Sequence, residues 1–205
     1  MKVILSNLSP FLTVGISRFS ITVVASLCLL AGSTYGQAVA DLTDSEINEK
    51  VVELISQNEF LQAKPYLDEM KKRLGDDPDE NTLEAIDFFT ASAELQRYQQ
   101  SKDEEALKNA VKMFEEYVNK HSSGPRKIIA QLNLGDAYAD LKQFGKAIQT
   151  YLAIFNSPQT SGSVRNDIRR VIAKTYLKTE KPEEGIPYFL DAYDQAVLDD
   201  EARAE

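Results

Sequence analysis

Leu134-Gly135-Asp136-Ala137-Tyr138, followed nine residues after Tyr138 by Ala147-Ile148-Gln149-Thr150-Tyr151 and then by Pro158, decides how this chain folds. An aromatic on one amphipathic segment, a nine-residue step, and a small residue with a large one four places on describe two helices meeting across a tight turn. The step recurs from Tyr176 to Gly185 and, more weakly, from Leu54 to Ala63. One supersecondary unit is being reused, and reuse predicts a stack of helix pairs.

Working outward, the chain from Thr43 onward reads as helix after helix. Thr43 with Glu46, Asp77-Pro78 with Glu80, and Ser101 with Glu104 each have the make-up of a capping box, in which a side-chain oxygen and a carboxylate satisfy unpaired backbone N–H groups at a helix start. Pro78, Pro125 and Pro182 suit first-turn positions, where a missing N–H is harmless. Four helix pairs are predicted: 45–57 with 59–73, 79–99 with 102–119, 126–141 with 144–156, and 164–178 with 182–199. Their second helices carry the anchors Ala63-x3-Leu67, Ala110-x3-Phe114, Ala147-x3-Tyr151 and Gly185-x3-Phe189. The small residue lets two helices approach and the large one fills the gap. Pro65 and Pro187 follow the first and last anchors, and interior prolines predict a local bend there. No alternating strand pattern is visible, so the expected class is all-α.

Residues 1–36 stand apart. Lys2 and Arg18 precede an apolar run from Ile21 to Leu30, and small residues follow, as in a secretory signal peptide. The run is well short of the roughly 18–20 residues of a membrane span, and Arg18 blocks its extension. Two cleavage points fit: after Gly36, with Thr34 two residues before it, or after Ala40, where Ala38-Val39-Ala40 supplies small-x-small. Gly36 lies nearer the apolar run. An uncleaved signal would instead anchor the chain in the membrane. Cys28, the single cysteine, follows Leu27 rather than the small residue of a lipoprotein signal, and reads as an apolar part of the leader. A mature chain without it forms no disulfide and relies on packing.

Removing Lys2 and Arg18 with the leader leaves 21 basic residues against 32 acidic. That net charge, about −11, argues against non-specific nucleic-acid binding, which depends on neutralising phosphates. The expected organisation is a signal peptide at 1–36, a linker at 37–44, a repeat domain at 45–199 with units of about 45–78, 79–124, 125–160 and 163–199, and an acidic tail at 200–205.

The whole repeat region resembles the tetratricopeptide repeat. Residues 126–158 carry its Leu-Gly-x2-Tyr, its Ala-x3-aromatic and its terminal proline, with Gln131 where the family often has Trp and Pro158 one residue early. The other units are more degenerate. Their second-helix anchors lie 47, 37 and 38 residues apart instead of the usual 34, and the first helix of the second unit offers only Ala91-Ser92-x2-Leu95. Phe114-Glu115-Glu116-Tyr117-Val118, leading through His121-Ser122-Ser123-Gly124-Pro125 to Ala130-x3-Leu134-Gly135, is similar to the repeats of bacterial envelope proteins. The resemblance implies a right-handed α-α superhelix of about four helix pairs that acts as a protein-binding scaffold, with the first helices lining a concave groove.

On that implication Leu134, Tyr138 and Leu141 pack on the partner helix, and Ile129, Asn133, Asp136 and Asp140 face the groove. In the last unit Asp167, Arg170, Lys174 and Lys178 do so. The candidate partner-binding residues are therefore Asn133, Asp136, Asp140, Arg170, Lys174 and Lys178. Three cations on one face suit an acidic peptide. The plainer reading pairs Asp136 with Lys174 and Asp140 with Lys178 in salt bridges between repeats, each contributing about 0–1 kcal/mol if exposed. The carboxylate clamp of chaperone-binding relatives is not reproduced, since Leu132 and Asp136 stand where it needs Lys and Asn. Asp76-Asp77-Pro78-Asp79-Glu80 lacks the glycine and spacing of a calcium loop and reads as helix capping. His121 is the sole histidine, and no nucleophile–base or metal-ligand constellation is visible. The expectation is a non-enzymatic scaffold of the cell envelope, periplasmic after cleavage, with no cofactor, no metal and no membrane span. Its partner is a protein or peptide. The alternative is a structural component that binds its own copies through Phe189, Leu190, Tyr193 and Val197 at the C-terminal end.

Overall fold

A computed structural model describes residues 39–75 and 78–194; the leader expected at 1–36, Val197 and the acidic tail expected at 200–205 lie outside them. The described residues are helical with no strand. Seven α-helices run in order: α1 Asp44–Ser56, α2 Phe60–Arg73, α3 Glu80–Ser101, α4 Glu104–Lys120, α5 Lys127–Asp140, α6 Phe144–Phe155 and α7 Gly162–Tyr176. A 3₁₀ turn, Pro182–Gly185, then leads into α8 at 186–194. Every substantial helix–helix contact joins neighbours in the chain. This is the contact pattern of a stack.

The nine-residue step has a structural cause. At the end of α1 Asn58 takes φ 57°, and at the end of α5 Lys142 takes φ 60°. In the first turn Glu59 N–H donates to the Leu54 carbonyl at 2.9 Å and Asn58 N–H to that of Ile55 at 3.0 Å. In the third, Gln143 N–H donates to Tyr138 at 2.8 Å and Lys142 N–H to Ala139 at 3.0 Å. Both are Schellman caps with a left-handed residue that is not glycine. The cap fixes the distance from Leu54 to Ala63 and from Tyr138 to Ala147. The second unit uses the simpler left-handed cap, with Lys102 at φ 59° and its N–H on the Tyr98 carbonyl at 2.7 Å, so its spacing differs.

Ala63, Ala110 and Ala147 are fully buried, and their partners Leu67, Phe114 and Tyr151 are no more than 1% exposed. The closest approach is at Gly135, where a Cβ would stand 2.8 Å from Cζ of Tyr151. Gly185 is nearly as tight, a Cβ there falling 2.8 Å from that of Tyr176. The large partner in this last unit is not Phe189, which is 39% exposed. Tyr188 fills the place, stacked on Tyr176 and edge-on to Phe155, both at 6.1 Å. The 3₁₀ turn advances three residues per turn instead of 3.6, and that rotates the packing face by one residue.

Two of the three expected capping boxes shift. Thr43 and Glu46 form theirs, each side chain bonded to the other's backbone N–H. The α3 cap is Asp79, accepting from Thr82 N–H at 2.8 Å; Asp76 and Asp77 lie outside the described residues. For α4 it is Asp103, accepting from Glu105 N–H at 3.0 Å, while Ser101 ends α3. Of the prolines, Pro182 begins its turn as expected, whereas Pro78 and Pro125 lie ahead of their helices. Pro187 enters the first turn of α8 and does not interrupt it; among the described residues only Pro65 is truly interior, and α2 continues through it.

Two apolar clusters share α3. Ile47, Val51, Ala63, Leu67 and Ile86 form the smaller one; Phe88 and Ala91 belong to the larger, which extends through α4 to α7. Phe89 packs against both. Burial on opposite sides explains why α3, the longest of the described helices, lacks a single apolar stripe.

Candidate functional site

Helices α5 and α7 place the candidate residues. Leu134 and Tyr138 turn inward and are buried, which leaves Asn133 half-buried and Asp136 and Asp140 exposed. On and just beyond α7, Arg170, Lys174 and Lys178 are exposed as well. Tyr151 ties this face to the core: its ring lies on Gly135 and its hydroxyl donates to Asp136 Oδ1 at 2.6 Å. Asp136 reaches water while protein crowds its other sides. Burial pushes its carboxyl up, the Tyr151 hydrogen bond draws it down, Asp140 pushes it up again, and Lys178 opposes that. Asp136, Asp140 and Lys178 therefore share one electrostatic neighbourhood. Tyr98 of α3 joins it: burial raises its hydroxyl, and so does Asp140.

The salt bridges expected between repeats do not form. Asp136, Asp140, Lys174 and Lys178 make no ion pair within 4.0 Å among the described residues, and Arg170 meets only Asp167, at 3.6 Å. Lys178 instead holds its ammonium 5.9 Å from the Phe144 ring centre. The face thus carries acid on α5 and base on α7, without mutual neutralisation at contact distance.

Two features of α3 carry no signal in the linear sequence. Glu84, 3% exposed, accepts from the Tyr117 hydroxyl and pairs with Arg126. One turn on, Asp87 accepts from Lys71 at 2.7 Å, Lys120 at 2.8 Å and the buried His121 ring at 3.0 Å. These carboxylates fix the loop between α4 and α5 to α3, and give His121 a structural place. Burial pushes the Asp87 carboxyl up, but its three donors outweigh that and hold it at about 2. Beside them an open groove of about 510 Å³ lies among α1, α2 and α3, with Val52, Ile55, Met70 and Phe89 on its walls and Arg126 at its edge. No group of three or more metal-ligating side chains occurs among the described residues, and none of their helices is long and apolar enough to cross a membrane.

Comparison with protein-family models, with curated proteins and with solved structures gives no match, so the fold rests on the chain's own geometry.

Proposed function

We propose that this protein is a non-catalytic scaffold for protein–protein interaction in the bacterial cell envelope, a right-handed superhelix of four tetratricopeptide-like helix pairs. The observation that carries the reading is one contact used repeatedly: a fully buried small residue on a second helix, packed with a large one, at Ala63, Ala110, Ala147 and, in altered register, Gly185. Stacked pairs leave their first helices on a common face. There Asp136, Asp140, Lys174 and Lys178 form no ion pair among the described residues, and charged groups on such a face favour specificity and fast association. The signal-like pattern of residues 1–36 supports a periplasmic location.

The test uses the mature protein as bait on envelope extracts. A partner bound in simple stoichiometry is expected, with Lys174→Glu weakening its capture and reducing the salt dependence while leaving the thermal midpoint nearly unchanged. Equal capture by both forms would remove this face from the reading. Self-association is favoured by a separate observation: Ile186, Leu190 and Tyr193 on α8 are 53–69% exposed. Contiguous exposed apolar side chains mark contact surfaces. Light scattering of the mature protein distinguishes the two, since a concentration-dependent rise in mass supports self-assembly and a constant monomer excludes it.

A further inference from the structure

The residues immediately ahead of α1 are built into the fold. Val39 and Ala40 are helical, and Val39 is 3% exposed, beside Leu42 and Tyr66. Arg73, the last residue of α2, reaches back to them. Its guanidinium donates to the Ala40 carbonyl at 2.8 Å and to the Leu42 carbonyl at 2.7 Å, and it pairs with Asp44 at 3.0 Å and Glu69 at 2.9 Å. The Leu42 N–H in turn donates to the Val39 carbonyl at 3.3 Å.

The two candidate cleavage bonds have different consequences for this arrangement. Hydrolysis between Ala40 and Asp41 removes the buried Val39 side chain and turns the Ala40 carbonyl into the carboxylate of the departing leader. It also leaves the new α-ammonium of Asp41 next to the Arg73 guanidinium. A cation then stands where an acceptor had been. Hydrolysis between Gly36 and Gln37 adds water across a bond ahead of Val39 and removes none of these contacts. We propose that the leader is removed between Gly36 and Gln37, and that Val39 and Ala40, held by Arg73, are an integral part of the mature domain. This rests on the export reading above.

Two measurements test it. The precursor is produced with its leader in a bacterial host, and the mass of the exported protein is read. A chain starting at Gln37, with or without the loss of ammonia that cyclises an N-terminal glutamine, is expected. A start at Asp41 overturns the proposal and leaves export standing, whereas an intact Met1 overturns export and the proposal with it. Chains 37–205 and 41–205 are then melted side by side. The shorter should melt about 4–8 °C lower, and Val39→Ser in the longer should reproduce most of that loss. Equal midpoints for the two chains would show that Val39 and Ala40 contribute nothing, and would overturn the structural basis of the proposal.

Discussion

At Gly135 helix propensity and packing pull in opposite directions. Alanine is about 1 kcal/mol better than glycine inside a helix. Its methyl group, however, would stand 2.8–2.9 Å from Cζ and Cδ1 of Tyr151, whose ring is 1% exposed and whose hydroxyl is held by Asp136. A ring fixed at both ends cannot step aside, so packing wins: Gly135→Ala should destabilise the fold by about 1–3 kcal/mol, measured as a shift in urea midpoint. An unchanged or raised midpoint would mean that the two helices do not approach there. Asp87 yields a pH dependence. Its carboxyl is held at about 2, below the ordinary 3.8, so its stabilising contribution is present above pH 4 and is lost as the pH falls toward 2. Asp87→Asn should cost about 2 kcal/mol at pH 6, and the gap from wild type should narrow steadily on acidification. A gap independent of pH would exclude the linkage. Gly135 was legible because a small residue at fixed spacing announces a close approach. Asp87 was not, since its partners Lys71, Lys120 and His121 come from two other helices and a loop, and no local pattern marks a carboxylate that tertiary contacts will bury.

Among the elements, the turns within pairs are better defined than their sequences suggest. Asn58, Lys102 and Lys142 adopt the left-handed conformation that glycine takes without strain, at a cost of roughly 1–2 kcal/mol for an ordinary L-residue. Lys142→Gly should therefore stabilise the protein by about 1 kcal/mol, visible as a higher thermal midpoint, because its side chain is exposed and the cap bonds are made by the backbone. A lower midpoint would show that the lysine side chain contributes something the backbone geometry does not reveal. The same turns explain which boundaries were readable. Helix existence followed from periodicity, and observed ends differ from expected ones by a few residues. The caps at Asp79 and Asp103 were missed in favour of neighbours two residues earlier, since Asp77 and Ser101 have the same capping chemistry and only the path of the chain selects between them. The last helix pair departed most, since nothing in Pro182–Gly185 distinguishes a 3₁₀ turn from the first turn of an α-helix.

For the whole molecule, the division of the interior on the two sides of α3 matters most. The N-terminal cluster contains five fully or nearly buried apolar residues, while the larger one draws on α3 through α7. Regions with fewer buried contacts open more readily. Amide hydrogens of α1 and α2 should exchange at least tenfold faster than those of α4 to α6 in native conditions, and equal protection throughout would show a single cooperative unit. The predominantly nearest-neighbour contact pattern along the described chain has a kinetic consequence too. Residues that touch are separated by short stretches of backbone, so little loop entropy opposes their meeting, and chains of this kind reach the native state in microseconds to milliseconds. Folding needs no distant segment to arrive first: each helix pair can close on the one already formed, in whichever order the chain becomes available.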